Sequence, residues 1–311
     1  MRRGALVAIL AIGVGVTLAP AAFRMFSRAP MGGQMIEEFR PFMQPERLDA
    51  FEGHLTRIGS AVEALRRQDA GLDHPLVAGL HRSWQDIDAD MTGMLDTIRD
   101  NLDNFAAIDA LPDFPLFPWF FVIPGLAIAG LAWSALRART PDGELPAWAR
   151  WSLVGMGAGL VAAPALFMMF TRAPLGAAMI DEFRPLMRPE RITAVQGYFL
   201  TIGGAEGALR TGVLAEVEDP DAPLPEVHAL IDAWPAMAGD MAPMIGAMSD
   251  NLDNFAAVAA LPPFSLFPWF FVIPGLLVAG LALLPPGPGE SKPDGTGEPG
   301  DESPNSRSLT T

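Results

Sequence analysis

"LFPWFFVIPGL" occupies residues 116–126 and recurs unchanged at residues 266–276. Each copy lies at the start of a stretch without charge, and two further uncharged stretches lie earlier in the chain and between the copies. About 20 apolar residues at ~1.5 Å each reach ~30 Å, the thickness of a bilayer's hydrocarbon. The sequence therefore predicts an all-α integral membrane protein with four transmembrane helices, at residues 4–23, 114–136, 151–171 and 265–284. The first stretch has the basic start "MRRG" of a secretory signal. Its counterpart deep in the chain, where "VAAPALFMMFTRAP" matches "TLAPAAFRMFSRAP", favours a span instead.

That match belongs to a longer duplication. Residues 20–47 align with 164–191 at a shift of 144, with 19 of 28 positions identical, and 100–132 align with 250–282 at a shift of 150, with 27 of 33 identical. The extra residues of the second copy fall in "TGVLAEVEDPDAPLP", which reads as a lengthened loop. Repeat 1 covers residues 1–136 and repeat 2 residues 151–284, each running span, long loop, span. Two spans per copy return the chain to its starting side, so the repeats are expected in the same orientation.

Within the loops at 24–113 and 172–264 the apolar residues step by three and four, as on one helix face. Leu48, Phe51, Leu55, Ile58, Val62 and Leu65 form one stripe, and Trp84, Ile87, Met91, Leu95, Ile98, Leu102 and Phe105 a second. The second copy repeats both, with Glu206 standing where the first has Val62. Each loop is expected to be a helical hairpin, and the two hairpins to pair their stripes as a four-helix bundle. Spans one and three, with Ala11-x-x-x-Gly15 and Gly155-x-x-x-Gly159, are the expected tight membrane contact.

Arginines at 2, 3, 137, 139 and 150 place the N-terminus and the joining loop 137–150 in the cytoplasm by the positive-inside rule. Both hairpins would then be extracytoplasmic, on a plasma membrane protein whose termini are cytoplasmic. The tail 285–311, rich in Pro, Gly, Ser and acids, is expected to be disordered. The long loops carry −7 and −8, which together equal the net charge of −15. Acidic surfaces of this kind disfavour nucleic acid and anionic headgroups and suit basic proteins. The chain has no cysteine, so packing or partners must hold the external part.

Familiar catalytic patterns are missing. His54, His74, His81 and His228 have no histidine counterpart in the other copy; His54, for example, faces Tyr198 in the alignment. "DIDAD" at 86–90 begins like a calcium loop but lacks its glycine and terminal glutamate, and the second copy retains only Asp240. No cofactor, metal or catalytic residue is expected. Two sets of repeated residues remain as candidate sites. One is the opening motif, in which Trp119, Phe121, Trp269 and Phe271 match an aromatic belt and Pro124, Gly125, Pro274 and Gly275 a kink below it. The other is a polar interface cluster of Glu38, Arg40, Arg47, Asp100, Asp103 and Asn104 with Glu182, Arg184, Arg191, Asp250, Asp253 and Asn254, in which Arg–Asp pairs would tie helix ends together. The expected function is a scaffold or accessory subunit that binds a membrane or envelope protein, with membrane lipids around it. The alternative is a carrier of lipids or other hydrophobic molecules in a cavity between the repeats.

Overall fold

The computed structural model describes residues 3–138 and 146–284; residues 139–145 of the expected joining loop and the whole tail 285–311 lie outside the described residues. Its described residues form helices without strands. Four helical stretches are long and apolar enough to cross a membrane: Arg3–Ala22, Phe114–Arg137, Ala147–Leu166 and Phe264–Leu283. We number the helices α1 (Arg3–Ala22), α2 (Met25–Phe39), α3 (Pro45–Arg67), α4 (Pro75–Asp100), α5 (Leu102–Asp109), α6 (Phe117–Arg137) and α7 (Ala147–Leu166). The order continues with α8 (Met169–Phe183), α9 (Pro189–Ala208), α10 (Leu214–Val217), α11 (Pro225–Asp250), α12 (Leu252–Ala259) and α13 (Phe267–Leu283).

The stripes decide the upper half of the molecule. Pro45, Pro75, Pro189 and Pro225 each open a helix, where the missing N–H would have had no helical partner. The apolar faces of α3, α4, α9 and α11 close on one core that contains Leu48, Phe51, Ile58, Ile87, Met91 and Val195. In this bundle α3 touches α4 and α11, and α9 touches the same two helices. Glu206, the polar interruption of a stripe, is buried, but Arg210 one turn on pairs with it and also donates to the Ile231 carbonyl at 2.6 Å.

The loops contain more than two helices each. The stripe from Trp84 to Phe105 is broken at Asn101, where φ −101° and ψ 5° leave the helical region, and its counterpart is broken at Asn251. Short helices α5 and α12 follow these breaks, and α2 and α8 precede the bundle. Residues Arg24 and Met168, at counterpart positions, turn the chain from α1 into α2 and from α7 into α8 through left-handed φ values of 54° and 52°. Such a conformation is uncommon for residues other than glycine. The short helices cross between copies, α2 against α12 and α5 against α8.

Membrane-type helices pair differently from the expectation. Spans one and three make no extended contact; α1 lies along α6 and α7 along α13, with α1–α13 and α6–α7 as the lesser contacts. The glycines responsible are also different. A Cβ at Gly13 would fall 2.7 Å from the Ala129 nitrogen, and one at Gly157 would fall 2.6 Å from the Gly275 oxygen. Gly15, Gly155 and Gly159 have open space where a Cβ would go.

Candidate functional site

Conserved chemistry between the two copies converges on the seam where they meet. Arg47 on α3 pairs with Asp240 on α11 and donates to the Asp240 carbonyl at 2.9 Å; Arg191 on α9 pairs with Asp90 on α4 at 2.5 Å. These are counterpart contacts made in opposite directions. The second oxygen-seeking group also has a counterpart, since His54 Nε2 sits 3.0 Å from Asp240 and the Tyr198 hydroxyl donates to Asp90 at 2.7 Å. Partial burial raises the Asp240 carboxyl, but hydrogen bonds from His54 and Arg47 and their charges outweigh it and hold the group below its ordinary value. The bond to Asp90 raises the Tyr198 phenol, with burial adding to the shift.

Nearer the membrane-type helices, Asn101 and Asn251 are fully buried. Asn101 Nδ2 donates to the Thr97 carbonyl at 2.9 Å and to Glu182 of the other copy, while its Oδ1 accepts from Asn104. Asn251 reproduces the set with Ala247, Glu38 and Asn254. The side-chain amides thus cap a broken helix and bind the copies together at one point.

The expected polar cluster is therefore redistributed. Arg47, Arg191, Glu38, Glu182, Asn104 and Asn254 do lie at the seam, but the arginines choose Asp90 and Asp240 rather than the aspartates of "DNLDNF". Asp100, Asp103, Asp250 and Asp253 are exposed and belong to none of these pairs. Arg40 pairs with Asp109 at 2.7 Å; Arg184 has Ala259 at the matching place and turns instead to Asp181 at 3.2 Å. The missed residues left one signal: within the weakly matched stretch "PAMAGD", Asp240 alone kept its Asp90 counterpart.

The opening motif forms the second region. Trp119 and Trp269 are half exposed and meet Phe26 and Phe170 edge to face, at 5.7 and 5.8 Å between ring centroids. Phe121 and Phe271 are buried against each other at 4.4 Å. Helices α6 and α13 continue through Pro124 and Pro274. The adjoining glycines set the pairing, since a Cβ on Gly125 would lie 2.7 Å from the Thr17 nitrogen.

Because the phenylalanine pair fills the middle, the space between copies is divided into two side grooves. One, of about 300 Å³, runs between α1 and α13 and is lined by Val16, Ala19, Phe23, Phe267, Phe270 and Pro274. The other, of about 230 Å³, runs between α6 and α7 and is lined by Phe120, Pro124, Leu160, Ala163, Phe167 and Phe271. A scan against protein-family models and a search of curated proteins find no match for this chain.

Proposed function

We propose that the chain is a non-catalytic plasma membrane protein that serves as a scaffold or accessory subunit, presenting the four-helix bundle to a partner outside the cytoplasm. In this reading the two repeats share one orientation, both termini are cytoplasmic, and α2–α5 and α8–α12 stand on the far side. The observation that carries it is the use of polar groups at the seam: the arginines, aspartates, asparagines and glutamates brought together there are spent on joining the copies. The bundle's halves are thereby joined, while its outside is acidic and shows few large apolar side chains, Leu76 and Leu200 among them. A surface of that kind suits a basic face of a membrane or envelope protein.

Placement of the apolar helices across a membrane is supported by aromatic residues at both of their ends. Trp119 and Trp269 stand at the bundle end, and exposed Trp133, Trp148 and Trp151 at the other, with the Arg137 guanidinium 4.6 Å over Trp133. The carrier reading requires one enclosed cavity between the repeats; Phe121 and Phe271 occupy the axis and leave only open grooves at the sides, which supports the scaffold instead.

Crosslinking in intact cells followed by mild detergent extraction and mass spectrometry should recover one stoichiometric protein partner with crosslinks on the bundle's acidic faces. A partner-free species at native expression would overturn the reading. Reporter fusions placed in the joining loop should be active only as cytoplasmic reporters.

A further inference from the structure

We propose that the two side grooves are binding sites for anionic phospholipid, one acyl chain in each groove with its phosphate at Arg28 or Arg172. The proposal rests on the membrane placement of the apolar helices and is independent of the scaffold role.

Three observations point to that occupant. The first is shape: along α1 and the residue after it the groove wall runs from Ile12 to Phe23, and along α7 and the residue after it from Met156 to Phe167. At ~1.5 Å per residue each wall is ~16 Å long, about half the hydrocarbon thickness, so each groove spans a single leaflet. The second is lining, which is aliphatic and aromatic throughout, with Phe23 against Phe270 and Phe120 against Phe167 at 5.9 Å framing the two mouths. An acyl chain entering such a slot exchanges contact with mobile lipid for contact with fixed walls.

The third is charge, carried beside both rims by arginines that line neither groove itself. Arg28 Nη1 donates to the Ala260 carbonyl at 2.8 Å, beside Pro262 on the groove rim, and approaches the Phe23 carbonyl at 3.4 Å. Arg172 Nη1 donates to the Ala110 carbonyl at 3.0 Å, beside Pro112 on the other rim. Among the described residues, neither arginine has a carboxylate partner, in contrast to Arg47, Arg99 and Arg191 of the bundle. Each guanidinium is therefore anchored through carbonyls with N–H donors left over, an arrangement that suits phosphate oxygens. Exposed Arg24 follows the rim residue Phe23 in sequence, where Met168 follows Phe167. The overall acidity of the loops thus hides a basic collar at the membrane surface.

Gly15 lies in one groove and Gly159 in the other, and a Cβ at either meets no atom within 4 Å. Leucine at these places fills a groove without disturbing helix pairing. The test is native mass spectrometry of the full chain, released from nanodiscs holding equal amounts of phosphatidylglycerol and phosphatidylcholine. We expect two phosphatidylglycerol molecules retained per chain, and one in either Gly15→Leu or Gly159→Leu. Arg28→Gln and Arg172→Gln should each weaken the preference for phosphatidylglycerol at its own groove by about fivefold, the effect of one basic side chain at an anionic surface. Circular dichroism of every variant should match the parent. Lipid counts unchanged by the leucines, equal retention of both lipids by the parent, or crosslinks showing a second copy of the chain seated in the grooves would each overturn the proposal.

Discussion

Asp90 and Asp240 hold counterpart positions, and each receives an arginine from the opposite copy, yet the second donor is a phenol in one case and an imidazole in the other. Geometry rather than residue type is what the copies share. Tyr198→His should consequently be tolerated, whereas Tyr198→Phe should lose about 1 kcal/mol, the net value of one such hydrogen bond. The Asp240 carboxyl is held below its ordinary value in the folded protein, so its contribution is complete above the unfolded value near 3.8 and disappears as pH falls through the folded one. Asp240→Asn should lower stability at pH 7 by about 1–2 kcal/mol, given a partly exposed charged pair. Melting curves of parent and variant should converge as the pH is brought below that value; a gap that stays constant would show that ionisation of Asp240 contributes nothing.

Elements were legible where one periodic signal dominated. The four apolar stretches and the stripes of the bundle could be read directly, because each follows from composition or from the 3.6-residue period. The break at Asn101 was hidden, since the apolar stripe continues in register across it and only a buried contact with Glu182 gives the asparagine its role. Span pairing was hidden for a different reason. Small residues occur at several spacings in α1 and α7, and the sequence offered Gly15 and Gly159 as readily as Gly13 and Gly157. The structure distinguishes them by backbone approach, and substitution should do the same. Gly125→Ala and Gly275→Ala should each cost about 1–3 kcal/mol through overpacking against Thr17 and Gly157, while Gly15→Ala and Gly159→Ala should be close to neutral. Thermal unfolding in one detergent would decide this, and equal shifts for both pairs would refute the pairing of α1 with α6 and of α7 with α13.

At the scale of the whole molecule, the two halves follow opposite pairing rules. Apolar helices pair chiefly within a copy, α1 with α6 and α7 with α13, whereas α2, α3, α4 and α5 take α12, α11, α9 and α8 of the other copy. The cross-pairing needs both segments, since two similar stripes can close on each other only if both are present. None of this could be read from one copy, because Arg47 and Asp240 are 193 residues apart and their attraction becomes evident only when the hairpins are laid side by side. A lone copy would expose the apolar faces of its bundle helices and leave Arg47 or Arg191 without its aspartate. Covalent linkage at the joining loop should therefore be dispensable once folding is complete. A protease site placed within residues 139–145 and cut after membrane insertion should leave the two fragments co-purifying in mild detergent, with the parent's circular dichroism. Residues 1–138 expressed alone should be degraded or aggregated, and co-expression with 146–284 should rescue them. Fragments that separate cleanly after cleavage, each keeping its helical signal, would mean that the copies fold independently and that the crossed Arg–Asp pairs do not hold the seam.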